Sequence, residues 1–358
     1  MRSVPHATQA RDDAQHRSPT TEATPCPAPA RGVSVVVPVY DSATILPRLV
    51  ERLAPVLRAV ARDYELILVN DGSRDASWSV IEELARTHDW VRGIDLMRNY
   101  GQHNALLCGI RAARHEVVVT MDDDLQHPPE EIPRLLAELD RGHDVVYGAP
   151  LHEQHGFLRD VASRVTKLAL AQTMGAPIAR KVSAFRALRT RLRDAFAAYD
   201  GFFVSIDVLL TWGTTRFSAV PVEHAPRQDG TSNYTFRKLV THAMNMMTGF
   251  SVFPLQIASL VGFGFTLFGL AVLAYVIGRY LIQGSSVPGF PFLASVIAIF
   301  SGAQLFALGI IGEYLARVHF RTMNRPPYTV RSLSEPASAE TTASAASTTD
   351  GSAASPRR

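Results

Sequence analysis

Between Lys238 and Arg279 the chain carries no Asp, Glu, Lys or Arg, and between Arg279 and Glu313 it again carries none. Two apolar runs, roughly Leu255–Gly278 and Phe290–Gly312, lie inside these gaps, and transmembrane helices are expected over residues 254–280 and 289–314. Each reaches the ~20 residues that a helix needs to cross a ~30 Å hydrocarbon core. The polar link QGSSVPG, Gln283–Gly289, turns between them. A transmembrane hairpin is expected, with a pair of buried core helices as the alternative. Arg237 and Lys238 precede the first run, Arg317, Arg321 and Arg325 follow the second, and the turn side holds only Arg279. The positive-inside bias then puts both long ends in the cytoplasm, as in a multi-pass protein of the inner (cytoplasmic) membrane. Residues 233–253 place Phe236, Leu239, Val240, Met244, Met247 and Phe250 at helical spacing beside Arg237, Lys238 and His242. That pattern suits a helix lying in the membrane surface, or an ordinary amphipathic helix packed on its own domain. Gly262, Gly264 and Gly269 would allow close helix contact within a homo-oligomer, though such residues also occur incidentally.

The rest of the chain has a different solvent. Residues 1–31 are polar and Pro-rich, and 334–358 form an Ala/Ser/Thr tail; neither buries enough apolar surface to offset its ordering entropy. Residues 315–333 are expected as a cytoplasmic segment. A net charge of +3 over 358 residues disfavours a nucleic-acid binder. Cys26 and Cys108 are the two cysteines, too few for a disulfide framework or a Cys-rich metal site.

Between these limits, residues 32–232 alternate short apolar runs with amphipathic segments. Strands are expected at 33–40, 64–71, 91–97, 115–122 and 144–148, and helices at 44–60, 75–88, 102–113 and 130–141. Continuous Val/Ile/Leu strands between helices give an α/β domain with a mostly parallel, Rossmann-like sheet covered on both faces. Ligands of such sheets collect at the carboxyl ends of the strands. The polar clusters PVYDS (38–42), NDGSRD (70–75) and DDDLQHPP (122–129) all fall there. No Gly-x-Gly-x-x-Gly follows the first strand, which disfavours a dinucleotide-binding oxidoreductase.

Three adjacent carboxylates repel one another unless something positive lies among them. A hard divalent cation, Mg²⁺ or Mn²⁺, takes carboxylate oxygens together with substrate phosphates. In extended backbone Asp122 and Asp124 share one face, and Asp123 turns away. A solvated or helix-capping acidic loop is the plainer alternative.

The segments VSVVVPVYDS, LILVNDGSRDAS, RNYGQHNALLCGI, MDDDLQHPPEEIPRLL and RQDGTSNYTFRKL, in this order, resemble family 2 glycosyltransferases of the GT-A fold. They are most similar to the dolichol-phosphate mannose synthase-like group, which includes bacterial polyprenyl-phosphate glycosyltransferases with a C-terminal membrane hairpin. The resemblance covers about residues 32–327. It implies a nucleotide-sugar donor (UDP- or GDP-), a polyprenyl phosphate acceptor in the membrane lipid, and a metal-dependent inverting transfer. The lipid-linked sugar would then pass to a flippase or a second glycosyltransferase. It further implies that Pro38, Tyr40, Asp41, Asp71 and Asp123 surround the nucleotide. Asp122, Asp124 and Gln126 would hold the metal and diphosphate, Arg227 and Ser232 would close over the phosphates, and GQHNA (101–105) would support the donor site. Gln102 and Asn104 could equally cap their helix, and Tyr40 could be core. Arg159 and Arg164 are the candidates for the acceptor phosphate.

The chain also departs from the family pattern. It has Asp41-Ser42 where Asn-Glu is common, Asn233 where Lys is usual, Arg180 and Lys181 where an Asp is usual, and no Arg near 148–152. These differences fall on sugar and acceptor contacts. Trp78, Trp90 and Trp212 lie in no Gln-x-x-Arg-Trp motif, which disfavours a processive polymer synthase. The alternatives are another membrane lipid or lipid-linked glycan as acceptor, or a non-catalytic membrane scaffold.

Overall fold

The computed structural model describes residues 31–150, 181–201, 204–223, 253–283, 289–323 and 325–336. The order of elements begins β1 (Gly32–Val39), α1 (Leu46–Val60), β2 (Asp63–Asn70), α2 (Ser77–Thr87), β3 (Val91–Leu96), α3 (Gln102–Ala112) and β4 (Val117–Thr120). A 3₁₀ turn at Pro129–Glu131 leads into α4 (Ile132–Asp140), then β5 (Val145–Pro150), β6 (Arg186–Arg189) and a 3₁₀ segment at Thr190–Phe196. The chain continues through α5 (Ile206–Gly213), β7 (Phe217–Val222), α6 (Phe253–Gln283), α7 (Phe290–Thr322) and β8 (Val330–Ser334).

One eight-stranded sheet runs in the order β7-β5-β6-β4-β1-β2-β3-β8. β6 is antiparallel to β4 and β5, and β8 is antiparallel to β3; the other pairings are parallel. Side chains alternate across the sheet as the pleat requires. Val35, Val37, Leu66 and Leu68 face α1, α2 and α4, whereas Val36, Ile67 and Val69 face α3 and α5. Helix α1 buries Leu46, Leu49, Val50, Leu53, Leu57 and Val60, a single stripe at helical period. Fully burying each such side chain contributes roughly 1.5–3 kcal/mol, so truncating Leu53 to Ala removes packing that α1 cannot replace.

The five expected strands and four expected helices all form, with ends displaced by at most two residues. β4 stops at Thr120 because the backbone leaves the sheet before Asp122, and β1 stops at Val39 because Asp41 adopts φ 52°. Three further strands and α5 complete the domain. Of the segment expected as cytoplasmic at 315–333, α7 takes in the residues to Thr322, and β8 joins the sheet at Val330–Ser334, where the tail is expected to begin. Glu335 then pairs with Arg92 and Arg114 at 2.9 and 3.2 Å. Ordered chain therefore extends past the boundary drawn at Ser334.

Helices α6 and α7 contain stretches, Leu255–Arg279 and Ile299–His319, long and apolar enough to cross a membrane. Neither stretch is buried by the rest of the chain, unlike the core helices of a soluble protein. They pack on each other through Phe265 and Phe300, whose rings meet edge to face at 5.7 Å. A Cβ on Gly269 would come within 3.0 Å of the Phe300 ring. Gly269 is therefore used inside the hairpin, whereas a Cβ on Gly262 or Gly264 would meet nothing within 4 Å among the described residues. The expected surface helix at 233–253 falls almost wholly outside the described residues, as do both tails, residues 1–30 and 337–358.

Candidate active site

The carboxyl edge of the sheet carries four loops that are bonded to one another. After β1, the Asp41 amide donates to Ser73 Oγ (3.1 Å), and the Arg74 amide donates back to Asp41 Oδ1 (2.7 Å). The Ser42 amide donates to Ser77 Oγ (2.9 Å) and the Ala43 amide to Asp75 Oδ2 (3.0 Å). Aspartate tolerates the left-handed backbone at Asp41 better than most residues, which fits this turn. Burial would raise the Asp75 carboxyl, but hydrogen bonds from Ser77 and the Ala43 amide outweigh it and hold the group below its ordinary range. The ring of Tyr40 stands exposed at the rim rather than in the core.

Asp71 links the second loop to the third. Its two oxygens accept the amides of Tyr100 (2.7 Å) and Gly101 (2.8 Å). Burial pushes this carboxyl above its ordinary value, and the two amides only partly restore it. Gly72, at φ 67°, lies under the same loop. A Cβ there would meet the Arg98 carbonyl carbon and the Asn99 nitrogen at 2.5 Å, so only glycine fits.

In the acidic loop after β4 each of the three carboxylates accepts a hydrogen bond from a different partner. Asp122 Oδ1 accepts from Gln102 Nε2 at 2.5 Å, the first residue of α3. Asp123 Oδ2 accepts the Tyr40 amide at 3.3 Å, and the Ser42 hydroxyl also bonds this carboxylate. Asp124 Oδ1 accepts the Gln126 amide at 3.1 Å, closing a turn of its own loop. Leu125 between them sits at φ 58°, a strained position for a leucine, and is held there by burial of its side chain in the α1/α4 core. Burial raises the Asp123 carboxyl, and the neighbouring Asp124 charge adds to the effect. Asp123 is thus directed to the β1 loop, and the repulsion within the triplet is spread over three separate partners.

Pro38, Tyr40, Asp41, Asp71, Asp122, Asp123, Asp124 and Gln126 therefore share one edge. Pro38 is buried in β1, and Asp71 reaches the site through the loop that it holds. Arg159, Arg164, Arg227 and Ser232 lie outside the described residues. Among the described residues, no group of three or more His, Cys, Asp or Glu side chains is arranged to hold a metal ion. Gln102 had two sequence readings, and the structure gives it to Asp122; the α3 N-terminus has no side-chain cap. Sequence reading missed the ion pair between Arg186 and Asp207, with the Tyr147 hydroxyl on Asp207 at 3.0 Å. Its one signal is an arginine in a short apolar stretch, AFRAL.

The profile of glycosyl transferase family 2 matches residues 34–202. An undecaprenyl-phosphate 4-deoxy-4-formamido-L-arabinose transferase of Pseudomonas fluorescens (strain Pf0-1) is 35% identical over 310 residues, 86% of this chain and 91% of its own. The transferase of the same description from Shewanella sediminis (strain HAW-EB3) is 35% identical over 304 residues, 84% of this chain and 92% of its own. Among solved structures, glucosyl-3-phosphoglycerate synthase from Mycobacterium tuberculosis superposes with a TM-score of 0.47 at 17% identity, covering 61% of this chain and 78% of that one. A match to 86% of the chain cannot stop at residue 202, so the likeness reaches from the acidic loop into the apolar helices. On that extent of identity, the chain belongs to glycosyl transferase family 2 and is an enzyme of the glycosyltransferase class, related to transferases that load sugars onto undecaprenyl phosphate.

Proposed function

We propose that this protein transfers a sugar from a UDP- or GDP-sugar to a membrane polyprenyl phosphate, with inversion at the anomeric carbon. The observation that carries the acceptor is the attachment of the hairpin. β7 ends at Val222 on the carboxyl edge, and the chain leaves from there toward α6. After α7 it returns to the same edge, because antiparallel β8 starts beside Leu96, the last residue of β3. Only residues 323–329 separate Thr322 from Val330. That length spans at most about 29 Å, so the site edge stays close to the membrane boundary. The acceptor of the curated relatives, undecaprenyl phosphate, supports the same reading. Arg317 near the end of α7 supports a cytoplasmic side for the domain, on the positive-inside rule.

The residues also fit a divalent metal. Asp122 and Asp124 offer hard oxygen donors from one short loop, and Gln126 lies beside them. Two carboxylates with substrate phosphates are a usual set for Mg²⁺ or Mn²⁺. When bound, such an ion neutralises charge on the departing diphosphate. Tyr40 offers an exposed ring for the base, while Asp41 and Asp123 fix the backbone around it. Asp71 holds the loop that carries Gln102, and Gln102 orients Asp122. Arg227 and Ser232 are assigned to the donor phosphates, and Arg159 and Arg164 to the acceptor phosphate. A phosphate monoester, with its second pKa at about 6, is already a nucleophile at neutral pH, so no strong base is required. One of its oxygens bonds the anomeric carbon as the bond to the diphosphate breaks, and the nucleoside diphosphate leaves with the electron pair. The lipid-phosphate sugar is then a substrate for a flippase or a second transferase.

The test uses the full chain in detergent with undecaprenyl phosphate, Mg²⁺ or Mn²⁺, and a panel of UDP- and GDP-sugars that includes a 4-deoxy-4-formamido-L-arabinose donor. Mass spectrometry should find one new lipid-linked sugar, lost on chelation. Asp124→Asn should lower turnover by about 10²–10³ without a change in thermal stability. Full activity of that variant with metal dependence intact would sink the assignment.

A further inference from the structure

The chain that follows the second apolar helix does more than close the sheet. Thr329 and Arg331 bracket Met97, at the start of the third site loop: the Met97 amide donates to the Thr329 carbonyl at 2.9 Å, and Arg331 Nη2 donates to the Met97 carbonyl at 2.8 Å. Arg331 Nη1 reaches Asp95 Oδ2 at 3.2 Å, and Asp95 is only 2% exposed at its side chain. The other oxygen of Asp95 accepts Asn70 Nδ2 at 2.7 Å. Asn70 Oδ1 accepts the Ser73 amide at 3.3 Å, and Ser73 Oγ accepts the Asp41 amide at 3.1 Å. A continuous polar chain therefore runs from β8 to the loop that bears Tyr40 and Asp41. A second contact starts at Tyr328, which packs on the core under α3, bonds the Cys108 thiol, and lies under the Arg111 guanidinium at 5.9 Å. Cys108 and Arg111 belong to the helix whose first residue, Gln102, holds Asp122.

We propose that residues 325–336 are a strap that positions the donor site from the membrane side, with Arg331 as the positioning residue for the Asn70–Ser73–Asp41 loop and Tyr328 for α3. Arg331 acts by holding Asp95, and Asp95 holds Asn70. Removing Arg331 leaves a buried carboxylate with Asn70 as its remaining neighbour in that chain, a change that the Asn70 turn must absorb. The hairpin and the nucleotide pocket are thereby joined by seven residues and one strand. This rests on the donor reading above, in that the strapped loops are taken to be the nucleotide loops.

The discriminating experiment compares Arg331→Ala with Glu335→Ala on the full chain in detergent. Glu335 anchors the far end of the same strap, on Arg92 at the amino edge. Two readouts are taken: hydrogen exchange of residues 70–76 and 97–104, and affinity for UDP and GDP with Mn²⁺. Arg331→Ala should speed exchange in both segments by about tenfold and weaken nucleotide binding by a similar factor. Glu335→Ala should leave both near wild type at an equal loss of melting temperature. Arg331→Lys, which returns a cation to Asp95, should recover part of the effect. Equal effects of the two alanine variants, or unchanged exchange in Arg331→Ala, would overturn the proposal. Failure of the wild type to bind either nucleotide would instead defeat the donor reading, and the exchange data would still decide the strap.

Discussion

Replacing Asp71 tests how the site is held. Its carboxylate accepts two backbone amides, Tyr100 at 2.7 Å and Gly101 at 2.8 Å, and the residue is 3% exposed. Each bond of an amide to a charged acceptor is worth about 1.5–3 kcal/mol. Two corrections lower the sum. Tyr100 and Gly101 are half-buried, so water can reach the released amides, and burial already disfavours the ionised carboxyl. A net loss of about 2–3 kcal/mol is expected for Asp71→Ala, or roughly 5–10 °C in melting temperature for a domain of this size. The functional loss follows from position. Gly101, at φ 96°, starts the turn into α3, and Gln102 on the next bond holds Asp122. Freeing this turn should raise the donor KM about tenfold, equivalent to ~1.4 kcal/mol. Asp71→Asn keeps one acceptor oxygen and should fall between the two. Melting in detergent and steady-state kinetics on the same preparations provide the check. A raised KM at unchanged melting temperature would refute the tether and make Asp71 a direct nucleotide contact; a melting temperature within a degree of wild type and an unchanged KM would refute both.

Three further outcomes concern the frame of the site. Arg92 bridges Glu65 at 2.8 Å and Glu335 at 2.9 Å, and Arg92→Met should cost about 3–5 kcal/mol because Glu65 stays buried and charged. Glu335→Ala should cost only about 1 kcal/mol, since Arg92 keeps Glu65; thermal melts showing the reverse order would contradict this account. Burial would raise the Asp144 carboxyl from 3.8, but Arg216, Thr214 and Arg191 outweigh it and hold the group at about 2. A depressed acid stabilises the fold above its unfolded pKa, so this contribution is complete above about pH 4 and lost as pH falls toward 2. Screening by the exposed arginines limits it to about 1 kcal/mol, and Asp144→Asn should flatten that acid limb in pH-dependent melting.

The parts of this fold legible in the sequence are those with a local cause. β1, β2, β4 and β5 are built on apolar runs, and α1 shows its buried stripe at helical spacing, so each declares itself without reference to distant chain. β6, ArgAlaLeuArg, does not. Arg186 is tolerated in the interior because Asp207 on α5 neutralises it, and that partner is 21 residues away. β7 includes Pro221, which argues against a strand until the sheet order shows it at an edge, where a missing amide costs nothing. The acidic loop was legible as a site because its carboxylates follow a buried strand. The choice of Gln102 as the partner of Asp122 was not, since the two lie 20 residues apart and only the fold of the sheet brings them together.

The strap was the least legible element, and it bears most on function. ValArgSerLeuSer runs into a low-complexity tail, with no apolar run to mark it. Its strand character comes from β3, whose Asp95 lies 236 residues earlier than Arg331. An edge strand with an open row of amides and carbonyls recruits whatever extended segment the chain can deliver, and the hairpin delivers this one. The direction of that pairing matters. Because β8 runs antiparallel to β3, the chain arrives from α7 at the carboxyl edge, where the carboxylates lie. A parallel pairing would have brought the hairpin to the amino edge instead. An eight-residue strand such as β1 is about 26 Å long, so the site would then have stood farther from the lipid by roughly that distance. The direction of one five-residue strand thus returns the chain from α7 at the edge of the sheet that carries Asp122 and Asp124.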